Sequence, residues 1–420
     1  MLTLKTILNR VHPLKSFVYQ AVHFRSVGET PVIIAKIQPR KNSKPICSGC
    51  NHAGPCYDHL PERQFQFVPL WAIPMYLLYT MRRVDCLRCG VKVEVVPWAD
   101  GKNQLTNAFR LFLSNWAKRL CWKDTAEIFG TSWNSVYRSV KWVVDFGLKH
   151  RSLKGITALG IDEVMYLRGH YMTLVYQIDV GYKRLLAVTD GHKGKSLRKA
   201  FRQLGDEVLS KIQFICTDMW KPYLEVIKTH KKLAQTLHVL DRFHIVKNLN
   251  KAVNEVRASE SKKRAQEGYD AELLKHTRYC FLKNPENLTP RQETKLAQVL
   301  QYDLKSVRAY LLKESFQLFW GYTSVYWAEW FLKKWCARAM RSRLEPIKRF
   351  VRTMRKHQAL LMNYFKAKKK YNSGVVEGLN RKVNLTMRKA YGYKSFDVLK
   401  IALFHTMGEL PEPKNTHRFW

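Results

Sequence analysis

Two kinds of metal-binding residue mark this chain: paired cysteines, Cys47-Ser-Gly-Cys50 and Cys86-Leu-Arg-Cys89, and two aspartates, Asp162 and Asp218, each closing an apolar run. A Cys-x-x-Cys turn presents two thiolates to one ion, and two such turns complete a tetrahedral site with no open position. A structural Zn²⁺ is therefore expected. Cys56 and His59 are close enough in sequence to serve as alternative ligands, although packing roles suit them better. The aspartates suggest different chemistry. Carboxylates near one another repel, and burial disfavours their charged forms. A hard divalent cation relieves both costs. A pair of Mg²⁺ (or Mn²⁺) ions about 3.5–4 Å apart clamps the attacking and leaving oxygens of a phosphodiester. Strand-end acids also occur with no role beyond solvating a sheet edge, and these two aspartates alone do not decide the matter. Glu163 falls on the opposite face of its strand from Asp162 and is excluded. Asp179 and Asp190 sit beside Gly and Lys in turn-like contexts that explain them.

The elements that must position these residues can be read from the pattern. The long gap between Cys50 and Cys86 leaves room for a hairpin, with strand-like runs at Gln64-Phe-Gln-Phe-Val and Tyr76-Leu-Leu-Tyr-Thr. Gly155 to Asp162 reads as a buried strand, followed by strands at Tyr171–Ile178 and Arg184–Thr189 with a turn at Gly181. A helix is then expected at Ser196–Leu204, a fourth strand at Lys211–Asp218, a helix at Pro222–Thr229 and a fifth strand at Thr236–Asp241. That order is the order of a ribonuclease H-like α/β fold. Its first and fourth strands are neighbours, which would bring Asp162 and Asp218 together.

Between the cysteines and the acids, residues 124–140 have the period of two short helices around a turn. Ala126 is small where the helices approach, and Gly130 sits at the turn. Val136 and Val140 face inward. Ser132 suits a cap, which leaves Trp133, Asn134, Ser135 and Arg138 to meet a DNA groove. A plain helical hairpin has the same pattern. The balance of charge favours DNA: 73 Lys and Arg face 33 Asp and Glu in 420 residues, a net charge of +40, and such a field draws polyanions. No run approaches the roughly 20 apolar residues needed to cross a bilayer, so no membrane role is expected. Residues 1–20 hold no continuous apolar core, so no secretory leader is expected. The spaced cysteine pairs fit a reducing compartment and metal, not disulfides.

Taken together, these segments resemble the zinc-ribbon DDE transposases of bacterial insertion sequences, specifically the ISL3 family. The resemblance is carried by both cysteine pairs and by Gly160-Ile-Asp162-Glu, Cys216-Thr-Asp218-Met and Leu240-Asp241-Arg-Phe-His244. It continues through Asn372-Ser-Gly-Val-Val-Glu377-Gly-Leu-Asn380 and Arg388-Lys-Ala-Tyr391-Gly-Tyr393. It implies that Asp162, Asp218 and Glu377 form a catalytic triad holding two Mg²⁺ ions. Spacing alone would not single out Glu377, and an ion pair with Arg381 one turn later explains it equally well. Asn372 or Ser373 would cap its helix. Asp241 and His244 are expected as auxiliary residues that support the site or contact DNA near it, and a helix cap or a satisfied core histidine fits them as well. The expected domains are a zinc ribbon (1–100), a helix-turn-helix (101–152), a ribonuclease H-like core (153–245 and 371–420) and an α-helical insertion (246–370). Trp320, Trp327, Trp330 and Trp335 could stack on bases, although packing of that insertion suits them better, while Arg341, Arg343, Lys348 and Arg349 are expected to line a DNA path. The function implied is binding of the element's inverted-repeat ends in double-stranded DNA, strand cleavage and transfer to target DNA by a homodimer or larger assembly. A non-catalytic DNA-binding regulator and a nuclease that cuts without joining are the competing readings.

Overall fold

The structure, a computed structural model, describes residues 3–268, 271–369, 374–390, 392–393 and 395–414. It is a mixed α/β, multidomain chain with two five-stranded sheets and sixteen α-helices among the described residues. The chain divides into two compact units, Met1–Ser152 with Asn384–Trp420, and Leu153–Val383. No described helix is long and apolar enough to cross a membrane.

The first unit opens with helix α1 (Leu4–Val11) and strands β1 (Phe17–Val27), β2 (Thr30–Pro39), β3 (Cys56–Leu70), β4 (Ile73–Cys86) and β5 (Gly90–Val93). The sheet order is β1-β2-β4-β3, with β5 paired to β4. Alternating apolar residues turn one face inward, where Trp98 packs edge-on against Phe17, Phe65 and Tyr79 at 5.0, 6.0 and 5.2 Å. Helices α2 (Asn107–Ala117), α3 (Trp122–Ile128) and α4 (Trp133–His150) follow.

The second unit is built on β6 (Ala158–Leu167), β7 (His170–Gln177), β8 (Arg184–Asp190), α5 (Gly194–Leu204), α6 (Asp206–Leu209), β9 (Phe214–Thr217), α7 (Lys221–Thr229) and β10 (Leu237–Leu240). The sheet order is β10-β9-β6-β7-β8, antiparallel through β6-β7-β8 and parallel through β6-β9-β10. One face of this sheet packs Leu159, Ile161 and Val175 against Leu197 and Phe201 of α5 and Tyr223 of α7. β6 does not end at Asp162, as its sequence suggests. It runs on to Leu167 because Val164 and Met165 continue to pair with Met172 and Tyr171 of β7. What ends near Asp162 is the pairing with β9, which stops at Gly160.

Helices α8 (Arg242–Gln266), α9 (Arg278–Leu282), α10 (Pro290–Leu300), α11 (Lys305–Gln317), α12 (Val325–Arg341), α13 (Glu345–Lys356) and α14 (Gln358–Lys366) share one apolar core, which Val239 and Leu240 of β10 join. A fully buried lysine, Lys313, donates to the carbonyls of Phe281 and Lys283 at 2.9 and 3.1 Å. It thereby satisfies acceptors at the end of α9 that no helical N–H can reach.

Two helices complete the chain, α15 (Gly374–Lys389) and α16 (Phe396–Met407). Asn372 and Ser373, expected to cap α15, lie outside the described residues, as does Tyr391. The sequence grouped residues 371–420 with the second sheet, whereas the described residues from Asn384 to Lys414 fall in the first unit. There, buried His405 meets Ser114 Oγ at 2.9 Å. Leu410 lies over Gly147, where an added Cβ would meet it at 2.5 Å.

Candidate active site

The register of the second sheet places three aspartates in one row. Gly160 pairs with Cys216, and Thr217 with Leu240. Continued past the last rungs, the same register sets Asp162, Asp218 and Asp241 side by side, the latter two just beyond the carboxyl ends of β9 and β10 and Asp162 where β6 leaves its parallel partner. The carboxyl ends of parallel strands are where α/β sheets commonly place their sites. The Asp218 carboxylate accepts the Trp220 N–H at 3.0 Å. Asp241, buried, caps α8 by accepting the Phe243 N–H at 2.6 Å, and its other oxygen accepts His244 Nδ1–H at 2.7 Å.

Asp162 is held from two sides. Its Oδ1 accepts the Glu163 N–H at 2.8 Å, and its Oδ2 accepts from Asn380 Nδ2 at 2.6 Å. Asn380 Oδ1 in turn accepts the hydroxyl of fully buried Tyr176 at 2.8 Å. A carboxylate only accepts, so the amide must turn its NH₂ to Asp162 and its oxygen to the tyrosine. The helix bearing Asn380 reaches the sheet because position 160 is glycine. A Cβ there would meet Val376 Cγ2 at 2.6 Å.

The electrostatics follow from burial. Desolvation holds the carboxyls of both Asp162 and Asp218 above the ordinary range, and each has a further acid beside it. Their own hydrogen bonds and the nearby His244 oppose the rise. The Asp241 carboxylate raises the His244 imidazole, with Asp162 and Asp218 adding to the effect. Glu163 turns to the Tyr223 side of the sheet, yet burial and the charges of Asp218 and Asp162 push it up to about 7. Its Oε2 is buried with no hydrogen-bond partner among the described residues. Two half-buried carboxylates with spare lone pairs, costly to charge unaided, are a donor set that suits a hard divalent cation.

Glu377 lies on α15, one turn before Asn380. Its carboxylate accepts from Arg381 at 2.8 Å in a largely exposed i,i+4 pair. Asp162, Asp218, Asp241, Glu163 and His244 are thus gathered around one row, while Glu377 sits on the helix that Asn380 anchors to that row. Sequence reasoning passed over Asn380, although it stands in the quoted motif. Its signal was the i,i+3 spacing from Glu377, which puts both on one side of a helix.

In the first unit the sulfurs of Cys47, Cys50, Cys86 and Cys89 all lie within 4.8 Å of one another. Gly49 leaves the room this needs, since a Cβ there would stand 3.0 Å from Cys89 Sγ. Backbone N–H groups and Cys50 draw the Cys86 thiol down to about 7, while Cys50 and burial push the Cys89 thiol up to about 12; a bound metal would hold all four sulfurs as thiolates. The four-cysteine cluster is compatible with a zinc ribbon. Cys56 and His59 stand instead on β3, in register with Val84 and Arg82.

Farther along that unit, Ser132 caps α4 by accepting the Ser135 N–H at 3.1 Å, and Gly130 takes φ +58° in the turn before it. Trp133, Asn134 and Arg138 are exposed and Ser135 is half-buried. Ser135 and Arg138 line a polar cleft of about 700 Å³ together with Gln64, Gln66, Lys102 and Arg110.

Comparison with known proteins agrees with this organisation. A family profile described as "Transposase", of the DDE type named for ISL3, matches residues 159–403. The chain is 27% identical over 416 residues to the transposase for insertion sequence element IS1557 of Mycobacterium tuberculosis, covering 93% of this chain and 92% of that one. It is 23% identical over 352 residues to the transposase for insertion sequence element IS1001 of Bordetella parapertussis, covering 83% of this chain and 85% of that one. Since the profile spans more than half of the chain and the relatives align along nearly all of it, the chain belongs to the ISL3 family and is a DNA transposase of an insertion sequence.

Proposed function

We propose that Asp162, Asp218 and Glu377 hold a pair of divalent ions, Mg²⁺ or Mn²⁺, at the end of a ribonuclease H-like sheet, and that this site both cuts and joins DNA strands. One observation carries the reading: Asp162 and Asp218 each lie two residues beyond the last paired rung of adjacent parallel strands, Gly160 with Cys216, and the helix bearing Glu377 is fastened to Asp162 through Asn380. Ions bound there would activate a water, and then a DNA 3′-hydroxyl, for in-line attack on a phosphodiester. Around them the chain supplies position and charge. Asn380 fixes which oxygen of Asp162 faces outward. Asp241 holds Nδ1 of His244, which leaves Nε2 to donate to a phosphate oxygen. Glu377 exchanges its partner Arg381 for the site when DNA binds. In the first unit, the four cysteines hold a structural Zn²⁺, and Trp133, Asn134, Ser135 and Arg138 read the element's inverted repeats. A homodimer or larger assembly brings two ends together.

Thiophilic rescue tests the triad. Asp162→Cys, Asp218→Cys and Glu377→Cys should each lose cleavage in Mg²⁺ and regain part of it in Mn²⁺, which accepts a softer ligand. A Glu377→Cys protein that cuts normally in Mg²⁺ would remove Glu377 from the site and leave its ion pair with Arg381 as its role.

A further inference from the structure

Helix α12 buries Ala328, Leu332, Trp335, Cys336 and Ala339. Its period therefore sets Trp327, Trp330, Lys334, Arg338 and Arg341 in one stripe on the outer side. Trp320 and Trp335 are each 4% exposed and do pack the helical core, as their sequence context suggests. Trp327 and Trp330 do not, being 52% and 46% exposed, and Tyr326 beside them is 68% exposed. Trp327 stands edge-on to Tyr326 at 5.2 Å and to Trp330 at 6.0 Å. Lys334 Nζ lies 5.6 Å from the centre of the Trp330 ring, and Arg338 donates to Ser315 Oγ at 3.2 Å. The one acid among the described residues of this helix, Glu329, is engaged by Lys333 at 3.1 Å and Gln358 at 3.0 Å.

Three large aromatic rings in water carry an unfavourable hydration cost, and a cluster of them marks a contact surface. The cations that follow in the same stripe identify the occupant. Bases stack on indole faces while phosphates meet Lys and Arg, which is how single strands are bound without regard to sequence. A duplex keeps its base faces stacked on one another, so only unpaired nucleotides can use this surface. An isologous contact with a second copy would instead bring the same cations face to face.

We propose that Trp327 and Trp330, with Lys334, Arg338 and Arg341, form a binding site for single-stranded DNA. Its occupants are the unpaired nucleotides beside a cut. The site rests on this chain handling DNA and not on the identity of the metal-binding acids.

The full-length protein, without added Mg²⁺, can be titrated with a short oligothymidylate and separately with duplex DNA, following tryptophan fluorescence. Wild type should be quenched by the single strand. Trp327→Ala and Trp330→Ala should each weaken that binding about 10-fold while changing duplex binding less than about twofold. Trp330→Phe, which retains a stacking face, should keep most of the affinity. Lys334→Ala should lower the salt dependence of single-strand binding by about 0.7 of a unit of log slope. Equal losses on single-stranded and duplex DNA would overturn the proposal, as would no loss on either. A changed sedimentation coefficient with unchanged oligothymidylate affinity would overturn it too, and would assign the surface to a protein contact.

Discussion

Asn380 connects a fully buried hydroxyl to an acid in the proposed metal site, and the result of losing it follows from that chain of bonds. Asn380→Ala frees Asp162 Oδ2 and strands the Tyr176 hydroxyl. Outer-shell partners of this kind are worth about 10- to 100-fold in metal affinity or activity. The loss should therefore appear as a higher Mg²⁺ concentration at half-maximal cleavage, with little change in DNA affinity. Tyr176→Phe should move the same midpoint in the same direction by less. A loss of DNA binding in place of a shifted Mg²⁺ midpoint would assign these residues to folding. Single residues were unevenly legible in the sequence. The strand-end positions of Asp162 and Asp218 follow from apolar runs that close on an acid. Glu377 and Asn380 could not be read that way, because a helix far down the chain returns to the sheet and no local period records the return. Glu163 was set aside from strand alternation. Its side chain does face Tyr223, yet at the end of the row it still senses both aspartates.

Among elements, the contact between β6 and α15 is the tightest constraint near the row. Gly160→Ala should force Val376 away, costing about 1–3 kcal/mol and loosening Asn380 from Asp162. Adding Val376→Ala should recover stability and cleavage together, as read by thermal melting and a strand-cleavage assay. Failure of the second change to recover either would show that this close approach is not what the glycine serves. The four-cysteine cluster joins the chain before β3 to the end of β4. Cys89→Ser should therefore release bound zinc and melt the first unit's strand signal in circular dichroism before that of the second. Strand–helix alternation in 155–241 was readable from periods of two and 3.6, although β6 outruns its acid because pairing with β7 sustains it. The fate of α16 was not readable. Its apolar face has the same period wherever it docks, and the contacts of His405 with Ser114 and of Phe404 with Arg151 fasten it to the first unit. Stacking on bases was one reading of the tryptophan-rich stretch, but without the phase of α12 it could not be told that Trp327 and Trp330 turn outward while Trp320 and Trp335 turn in.

At the scale of the whole molecule, charge and proton balance set the working conditions. With a net charge of +40, neutralising about 6–10 phosphates would cost roughly 10³- to 10⁵-fold in affinity between 50 and 200 mM salt. A flat salt profile for DNA binding would contradict electrostatic attraction as its main source. Burial holds His238 down to about 4 and His405 down to about 3, so both stay neutral in the folded chain. Their unfolded counterparts protonate near pH 6.5. Below that pH the unfolded chain binds the extra protons, and stability falls by up to about 1.4 kcal/mol per pH unit for each histidine. Glu163 and His244, both raised in the folded chain, act in the opposite sense, so the histidine contribution is read by difference: between pH 7 and pH 5, His405→Gln should lose less melting temperature, or gain more, than wild type. Strand transfer by the full-length protein, on labelled DNA carrying the sequences that flank its gene, is the most direct test of the proposed cut-and-join site. With Mg²⁺, wild type should give joined products, and Asp162→Asn and Glu377→Gln should bind the same DNA without cutting or joining it. Joining by either variant, or cleavage by wild type that never leads to joined strands, would contradict it.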